Sequence, residues 1–324
     1  MKCVICNSEK LNLIKSNYKP YLDYQYEIFD CQNCQARFVS PFENKNVHED
    51  LHKFKGNIYD LERENLNKAK YFFNNKDIKG YRKFLSKDFR YKFIINKIEK
   101  IGNKNIKLLE IGCSFGYLTA YFILNGYNSI GIDVSETAIV NAKKTFGNDN
   151  FKCSSIEELS EKEKYHVIYH TGLIGVVNNP REVMIKSINL LEKNGITIFN
   201  APNKKRALLK NIPWISGCAP PDLRTLFLPE TFSIFIKNKP LLLNMVHIKP
   251  KIEKGGWFIS KIKGIKEMPF SVNSKFLDYK LPQTKSKKIN LFKNIIVIII
   301  GIFVPNFFYE SDFGLFVIIK NKQK

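Results

Sequence analysis

The stretch Leu108-Leu109-Glu110-Ile111 runs straight into Gly112-Cys113-Ser114-Phe115-Gly116, and a second apolar run, Ile130-Gly131-Ile132, ends on Asp133. An apolar strand, a glycine-bearing turn, a helix and a second strand, in that order, specify one unit of a helix-covered parallel sheet. Gly112 lets the backbone approach a bound nucleotide where a Cβ would collide. Gly116 falls where the following helix must pack against the sheet. Asp133, at the tip of the second strand, is placed for both ribose hydroxyls of an adenosine. The spacing is GxxxG rather than GxGxxG, and Glu110 precedes the turn. A pyrophosphate needs a charge-free cradle at a helix start. A carboxylate there suits a cationic ligand instead, and S-adenosylmethionine carries an ammonium and a sulfonium. The residues predict a methyl-donor pocket.

Downstream, the apolar periods alternate as in a doubly wound sheet. Strands are expected over 106–111, 129–133, 150–153, 166–170, 195–200, 241–248 and 314–320, and helices near 116–125, 135–146, 180–192 and 229–238. Ser135 is the expected N-cap of the second of these helices and Gly195 the expected stop of the third. Residues 203–228 mix prolines, a tryptophan and basic residues without a period, and read as a lid over the strand ends. Residues 46–103 are polar and helical in period. Leu51, Phe54, Ile58 and Leu61 form one stripe, and Phe89, Phe93, Ile94, Lys97 and Ile98 another. They are expected to cap the mouth of the donor pocket. His48 and His52 have the spacing of a metal pair, but no third ligand accompanies them, so a solvated face is the simpler reading.

Before the cap, Cys3-Val4-Ile5-Cys6 and Cys31-Gln32-Asn33-Cys34 are two CxxC knuckles 24 residues apart. Each puts two thiolates on one tight turn, and two turns complete a tetrahedral zinc site. Asn7-Ser8 and Gln35-Ala36 fall where the knuckle turns close, while Tyr24–Asp30 alternates like a strand that Arg37-Phe38-Val39 continues. A unit this small depends on its metal to fold. Cys3, Cys6, Cys31 and Cys34 fill all four positions, which makes the site structural rather than catalytic.

The chain's formal charge is +22. It reads either as the mark of a polyanionic partner or as lysine abundance spread over the whole chain; runs such as Lys285-Ser286-Lys287-Lys288 are short, which favours the second. No apolar segment follows Met1-Lys2-Cys3, so a cytoplasmic protein with metal-holding cysteines is expected. The apolar run Ile295–Val304 is too short to span a bilayer as a helix. It reads as core, with peripheral membrane contact through 291–308 as the alternative.

Taken together, these residues resemble class I S-adenosylmethionine-dependent methyltransferases, in the branch with an N-terminal four-cysteine zinc ribbon that acts in polysaccharide and sugar pathways. LLEIGCSFGYLTAYF resembles the family's first motif and SIGIDVSETAIVNAKK its second. YHVIYHTGLIGVVNNPREVM and LLEKNGITIFNAPN are similar to the segments around the fourth and fifth strands, and PPDLRTLF to the branch's lid motif. The resemblance implies an α/β fold: a Rossmann-like, doubly wound, seven-stranded methyltransferase sheet with a small zinc ribbon and a helical cap. The ribbon would occupy 1–45, the cap 46–103 and the methyltransferase domain 104–324, with its lid at 203–228. Glu110, Gly112, Cys113 and Gly116 would contact the donor's methionine moiety. Asp133 would bind its ribose, Val134, Ser154, Ser155 and Ile156 would surround adenine, and His170, Thr171 and Gly172 would face the sulfonium. His166 stands where the family usually has aspartate, Gly175-Val176 replace a Glu-His pair, and Leu223 replaces the lid histidine.

Methyl transfer is an in-line displacement at an activated carbon, so alignment and desolvation dominate and a base is needed only if the acceptor loses a proton. His170 is the expected base. Asn200 and Asn203 are expected near acceptor hydroxyls, and Trp214, Asp222 and Arg224 in the lid, with Arg224 suited to a phosphate or carboxylate. The expected acceptor is a small molecule, a sugar or glycan precursor. RNA methylation and a catalytically inactive donor-binding module are the alternatives. Between the knuckles Lys10, Lys15 and Lys19 are offset by Glu9, Asp23, Glu27 and Asp30, which argues against RNA.

Overall fold

Lys107–Ile111 is buried along nearly its whole length, and a strand apolar on both faces must be covered on both. That requirement organises the protein, known here from a computed structural model that describes residues 1–21, 24–41, 56–147, 149–209, 211–215, 218–237, 239–248 and 314–322. His48, His52, Leu51, Phe54 and the run 291–308 lie outside these residues, as do the side chains of Ile58 and Leu61.

In chain order the elements begin with strands β1 (Leu11–Tyr21), β2 (Tyr24–Cys31) and β3 (Arg37–Ser40), then helices α1 (Gly56–Asn74), α2 (Ile78–Leu85) and α3 (Phe89–Glu99). The alternating part follows: β4 (Lys107–Ile111), α4 (Tyr117–Leu124), β5 (Asn128–Asp133), α5 (Glu136–Phe146), β6 (Phe151–Cys153), β7 (Tyr165–His170), α6 (Pro180–Asn189) and β8 (Leu191–Ala201). Last come α7 (Lys205–Leu209), β9 (Thr225–Leu226), α8 (Pro229–Ile236), β10 (Leu241–Ile248) and β11 (Gly314–Asn321). Seven strands form the main sheet in the order β10-β11-β8-β7-β4-β5-β6. β4 to β8 are parallel, and β11 runs antiparallel between β8 and β10. The winding reverses between β4 and β7, and the crevice beyond their carboxyl ends is where a doubly wound sheet binds ligand.

The seven expected strands and the helices between them are present, and Ser135 caps α5 through its hydroxyl, which accepts from Ala138 N at 3.3 Å. The third expected helix, however, stops at Asn189 rather than 192, and Gly195 is not its cap. Leu191–Ala201 is already strand, and Asn194 takes the left-handed turn at φ 63°. Gly195 is required for packing: a Cβ there would lie 2.9 Å from the Glu192 carbonyl oxygen. β1 escaped the sequence reading because its pairing with β2 is broken by three register shifts, which scramble its alternation.

The cap consists of α1 to α3. Tyr81 is fully buried, and its hydroxyl donates to Tyr117 O at 2.9 Å, fixing α2 on the start of α4. Phe93 of α3 stacks on Phe316 of β11 at 3.9 Å between ring centres. The lid does more than overlie strand ends: its β9 pairs with β3, adding a fourth strand to the ribbon sheet β1-β2-β3-β9. Trp214 is buried there with Tyr26, Ile28, Val39 and Leu226. Its indole donates to Cys218 O at 2.9 Å, so it serves the ribbon–lid core rather than an acceptor.

Gly116 initiates α4 at φ 78°, and a Cβ there would sit 2.4 Å from the Phe151 ring and 3.2 Å from Ala142 Cβ. Backbone strain and overpacking therefore coincide. Gly116→Ala is expected to lower the unfolding free energy by about 3 kcal/mol in urea titration.

Candidate functional site

At the carboxyl end of β4, Gly112, Ser114 and Gly116 all have positive φ, at 68°, 50° and 78°. The chain thereby turns tightly enough for Ser114 N to donate to Asp133 Oδ2 at 2.8 Å. Asp133 Oδ1 accepts from Ser135 N, also at 2.8 Å. Each carboxylate oxygen has two acceptor positions, so both oxygens, fixed by backbone, keep one for a ligand hydroxyl. Val134 beside it is 74% exposed, an apolar side chain with nothing packed over it. Ile156 is buried below, and the Ser154-Ser155 turn is tied by Glu158, which accepts from Ser154 Oγ at 2.9 Å and Ser155 N at 3.0 Å. The expected ribose and adenine residues are thus neighbours at the β5 and β6 tips.

Glu110 sits differently from the sequence reading. Its carboxylate is buried and turned under α4, accepting from Thr119 N at 2.9 Å and Thr119 Oγ1 at 2.5 Å. Burial, with help from the Asp133 charge, pushes this carboxyl up to about 8 despite the two Thr119 bonds. It acts on the glycine turn from beneath rather than lining the crevice. Gly131 makes room for this pair, since a Cβ there would come within 2.7 Å of Thr119 Oγ1. Cys113 is buried against the same seam, which pushes its thiol up. Thr119 lies within the first motif, LLEIGCSFGYLTAYF, but the sequence reading gave it no role.

His170 is at the β7 tip as expected, but only 1% exposed, with its ring stacked on Phe199 at 4.7 Å. Burial drops it to about 3, so it stays neutral and walled off; the reading of His170 as the base gives way to a packing role. His166 is exposed at the other end of β7 and accepts from Lys107 N at 3.1 Å. Beyond His170 the backbone passes through half-buried Thr171 to Gly172 at φ 69°, whose N–H donates to Asn200 Oδ1 at 2.8 Å. Arg90, at the start of α3, brings Nη1 within 3.6 Å of where a Gly172 Cβ would be, so the cap does reach the crevice. Asp88 grips this guanidinium through both carboxylate oxygens. Sequence reasoning missed Arg90, which belongs to no motif.

The lid residues are committed to structure. Arg224 is buried, donating to Pro221 O at 3.0 Å and to Asn178 Oδ1. Asn203 is buried and caps α7 by accepting from Lys205 N at 2.9 Å. Asp222 is half-buried. Two of the three departures from the family pattern meet: a Cβ on Gly175 would lie 2.6 Å from Leu223 Cδ1 and 2.5 Å from Pro202.

In the ribbon, all four cysteine sulfurs lie within 4.8 Å of one another. Cys3 and Cys34, and Cys6 and Cys31, approach to 3.5 Å. The knuckles are built alike. Asn7 N donates to Cys3 O and Cys3 N to Ser8 O; Gln35 N donates to Cys31 O and Cys31 N to Ala36 O. Asn7 and Gln35 close the turns in the left-handed region, at φ 59° and 62°. Ile5 N and Cys34 N point at sulfur, the polarity that stabilises thiolates. The contact with Cys34 lowers Cys3 and raises Cys34, and a divalent cation bound between them would hold both as thiolates. The set could hold one tetrahedral ion.

Residues 81–233 match the family model described as "Methyltransferase domain". A ubiquinone biosynthesis O-methyltransferase of Pelagibacter ubique is 38% identical over 105 residues, 31% of this chain and 44% of that protein. One from Rickettsia prowazekii is 29% identical over 178 residues, 51% of this chain and 68% of that protein. The chain thus spans less than half the length of the first of these relatives. Among solved structures, the plantazolicin methyltransferase BpumL with S-adenosylhomocysteine aligns at TM-score 0.44 and 18% identity, covering 85% of this chain and 91% of that one. Over residues 81–233 the chain is thus similar to a methyltransferase domain. Among the described residues no helix is long and apolar enough to cross a membrane.

A carboxyl raised from 4.5 to about 8 on folding binds its proton more tightly in the native state, so it stabilises below its unfolded value and that stability is lost as pH rises toward 8. His170, whose folded value is depressed, is already neutral in both states above about 6.5. Between pH 6.5 and 8 the ligand-free protein should therefore lose stability to urea, and Glu110→Gln should flatten that decline.

Proposed function

We propose that this chain transfers the methyl group of S-adenosylmethionine to a small-molecule acceptor, a sugar or glycan precursor. The observation that carries the donor half is the Asp133 carboxylate, fixed by Ser114 N and Ser135 N at the β5 tip beside the glycine turn. Adenine would lie between exposed Val134 and buried Ile156, with Ser154 and Ser155 at its edge. The donor's carboxylate needs a cation, and Arg90 at Gly172 supplies one where the methionine end would reach. The sulfonium would then face Thr171 and Gly172, with Gly112, Cys113 and Gly116 supporting the turn below.

The acceptor would enter over Asn200 and the lid. A sugar-type acceptor is supported by the four-cysteine ribbon, which shares a sheet with that lid. The ribbon lies outside the matched domain, so it adds something that the transfer machinery alone does not need. The relatives' name supports a second reading, methylation of an oxygen on a ubiquinone-type precursor. In either case the chain contributes alignment and exclusion of water, since the carbon is already activated. Cys3, Cys6, Cys31 and Cys34 would hold a structural zinc ion that takes no part in the chemistry.

S-Adenosylhomocysteine titration should show one site per chain, weakened about tenfold or more by Asp133→Ala and by Arg90→Ala, each of which removes a charge-assisted contact. Label from methyl-labelled donor should pass to a nuclease-resistant, nucleotide-sugar or glycolipid fraction of cell extract. Label in a quinone-precursor fraction would select the second reading, and label released by ribonuclease would contradict both. The purified chain should carry about one zinc per molecule, and Cys31→Ser should lose it.

A further inference from the structure

Lys204 is 2% exposed, although it follows the Ala201-Pro202-Asn203 strand end at the acceptor side. A buried ammonium needs partners, and both of its partners flank the second knuckle. Nζ donates to Gln35 O at 3.0 Å and pairs with Asp30 Oδ2 at 3.0 Å. Asp30 immediately precedes Cys31, and Gln35 immediately follows Cys34. Asp30 is in turn held by Arg37, Nε to Oδ1 and Nη2 to Oδ2, both at 2.8 Å. Arg37 Nη1 reaches on to Ile212 O at 3.1 Å and Pro213 O at 2.9 Å, in the lid segment beyond α7.

On the lid side Lys204 is equally fixed. Its N–H donates to Phe227 O at 2.8 Å, and its carbonyl accepts from Ala207 N and Leu208 N, which starts α7. The first knuckle makes a different attachment: Ile5 O accepts from Arg181 Nη1 at 2.9 Å, on α6. The donor residues at the β4, β5 and β6 tips make none of these polar contacts; Ile111, Ile132 and Ile156 there meet Cys3, Ile5, Cys31 and Cys34 through a shared apolar core.

We infer that Lys204 fastens the acceptor-side lid to the second cysteine knuckle, so that the metal-loaded ribbon positions the lid through polar contacts that the donor half of the site does not share. The inference rests on the methyltransferase reading only in calling that side the acceptor side. Lys204 is a positioning residue; it touches no reacting atom. The ribbon therefore serves the part of the site where the acceptor must be oriented and water excluded.

The test is hydrogen exchange on the full-length, zinc-loaded chain, with S-adenosylhomocysteine titrated in parallel. Removing the metal with a chelator should speed amide exchange in 205–209, 211–215 and 225–228 by at least about tenfold while 107–124 and 128–140 keep their protection. Lys204→Met in the zinc-loaded protein should reproduce the lid effect, with affinity for S-adenosylhomocysteine changed less than about twofold. Arg181→Ala, which loosens the other knuckle, should leave lid exchange as it is. Unchanged lid exchange after both chelation and Lys204→Met would overturn the inference. Loss of protection in the donor segments together with the lid would also overturn it, because the ion pair would then be one part of a single cooperative core. A chain that never binds S-adenosylhomocysteine would defeat the functional reading, while lid exchange would still decide the fastening.

Discussion

Two hydrogen bonds from Thr119 to a buried carboxylate underlie the donor half of this protein. Glu110 is taken out of water at the end of the central strand, and a carboxyl group so placed is costly unless it is bonded. Thr119 bonds it through both its hydroxyl and its N–H, which pins the first turn of α4 to β4. With that distance set, the intervening residues can close only as a tight turn through positive φ, and Ser114 N is delivered to Asp133. Gly131 and Gly116 are small for the same reason: helix, turn and sheet meet where a methyl group would collide.

The contact between ribbon and lid is organised by a different interaction, the buried cluster of Asp30, Arg37 and Lys204. One carboxylate there satisfies two cations, and the remaining donors are spent on backbone carbonyls. Such a cluster contributes little net stability compared with an apolar core of the same size, but losing one member leaves a charge uncompensated. Its value lies in specificity, since it fixes one register between ribbon and lid. β3–β9 pairing and the Trp214 cluster then fill in around it.

Much of the sheet was legible because parallel strands buried on both faces read as short apolar runs between turn signals. The knuckles were legible to the residue, down to Asn7 and Gln35, because CxxC spacing allows little else. Three features were not. Gly195 looked like a helix stop, yet it answers to the Glu192 carbonyl, a contact that no local pattern reveals. The base reading of His170 relied on its place at a strand end and could not see that it would be buried with its ring on Phe199. Trp214 and Arg224 looked free because their partners, Tyr26 and Asn178 among others, are distant in sequence or follow no period. Gly175 and Leu223 seemed two separate departures from a family pattern; in space they are one contact.

In the proposed function, a fixed aspartate, a tight glycine turn and a cap arginine would form one pocket for a cationic adenosyl donor. A crystal structure of the zinc-loaded chain with S-adenosylhomocysteine tests it most directly. The account predicts ribose hydroxyls on Asp133, adenine between Val134 and Ile156, and the ligand carboxylate on Arg90, with Glu110 still bonded to Thr119. Ligand bound elsewhere on the sheet, or a Glu110 carboxylate swung out to meet the ligand ammonium, would contradict it.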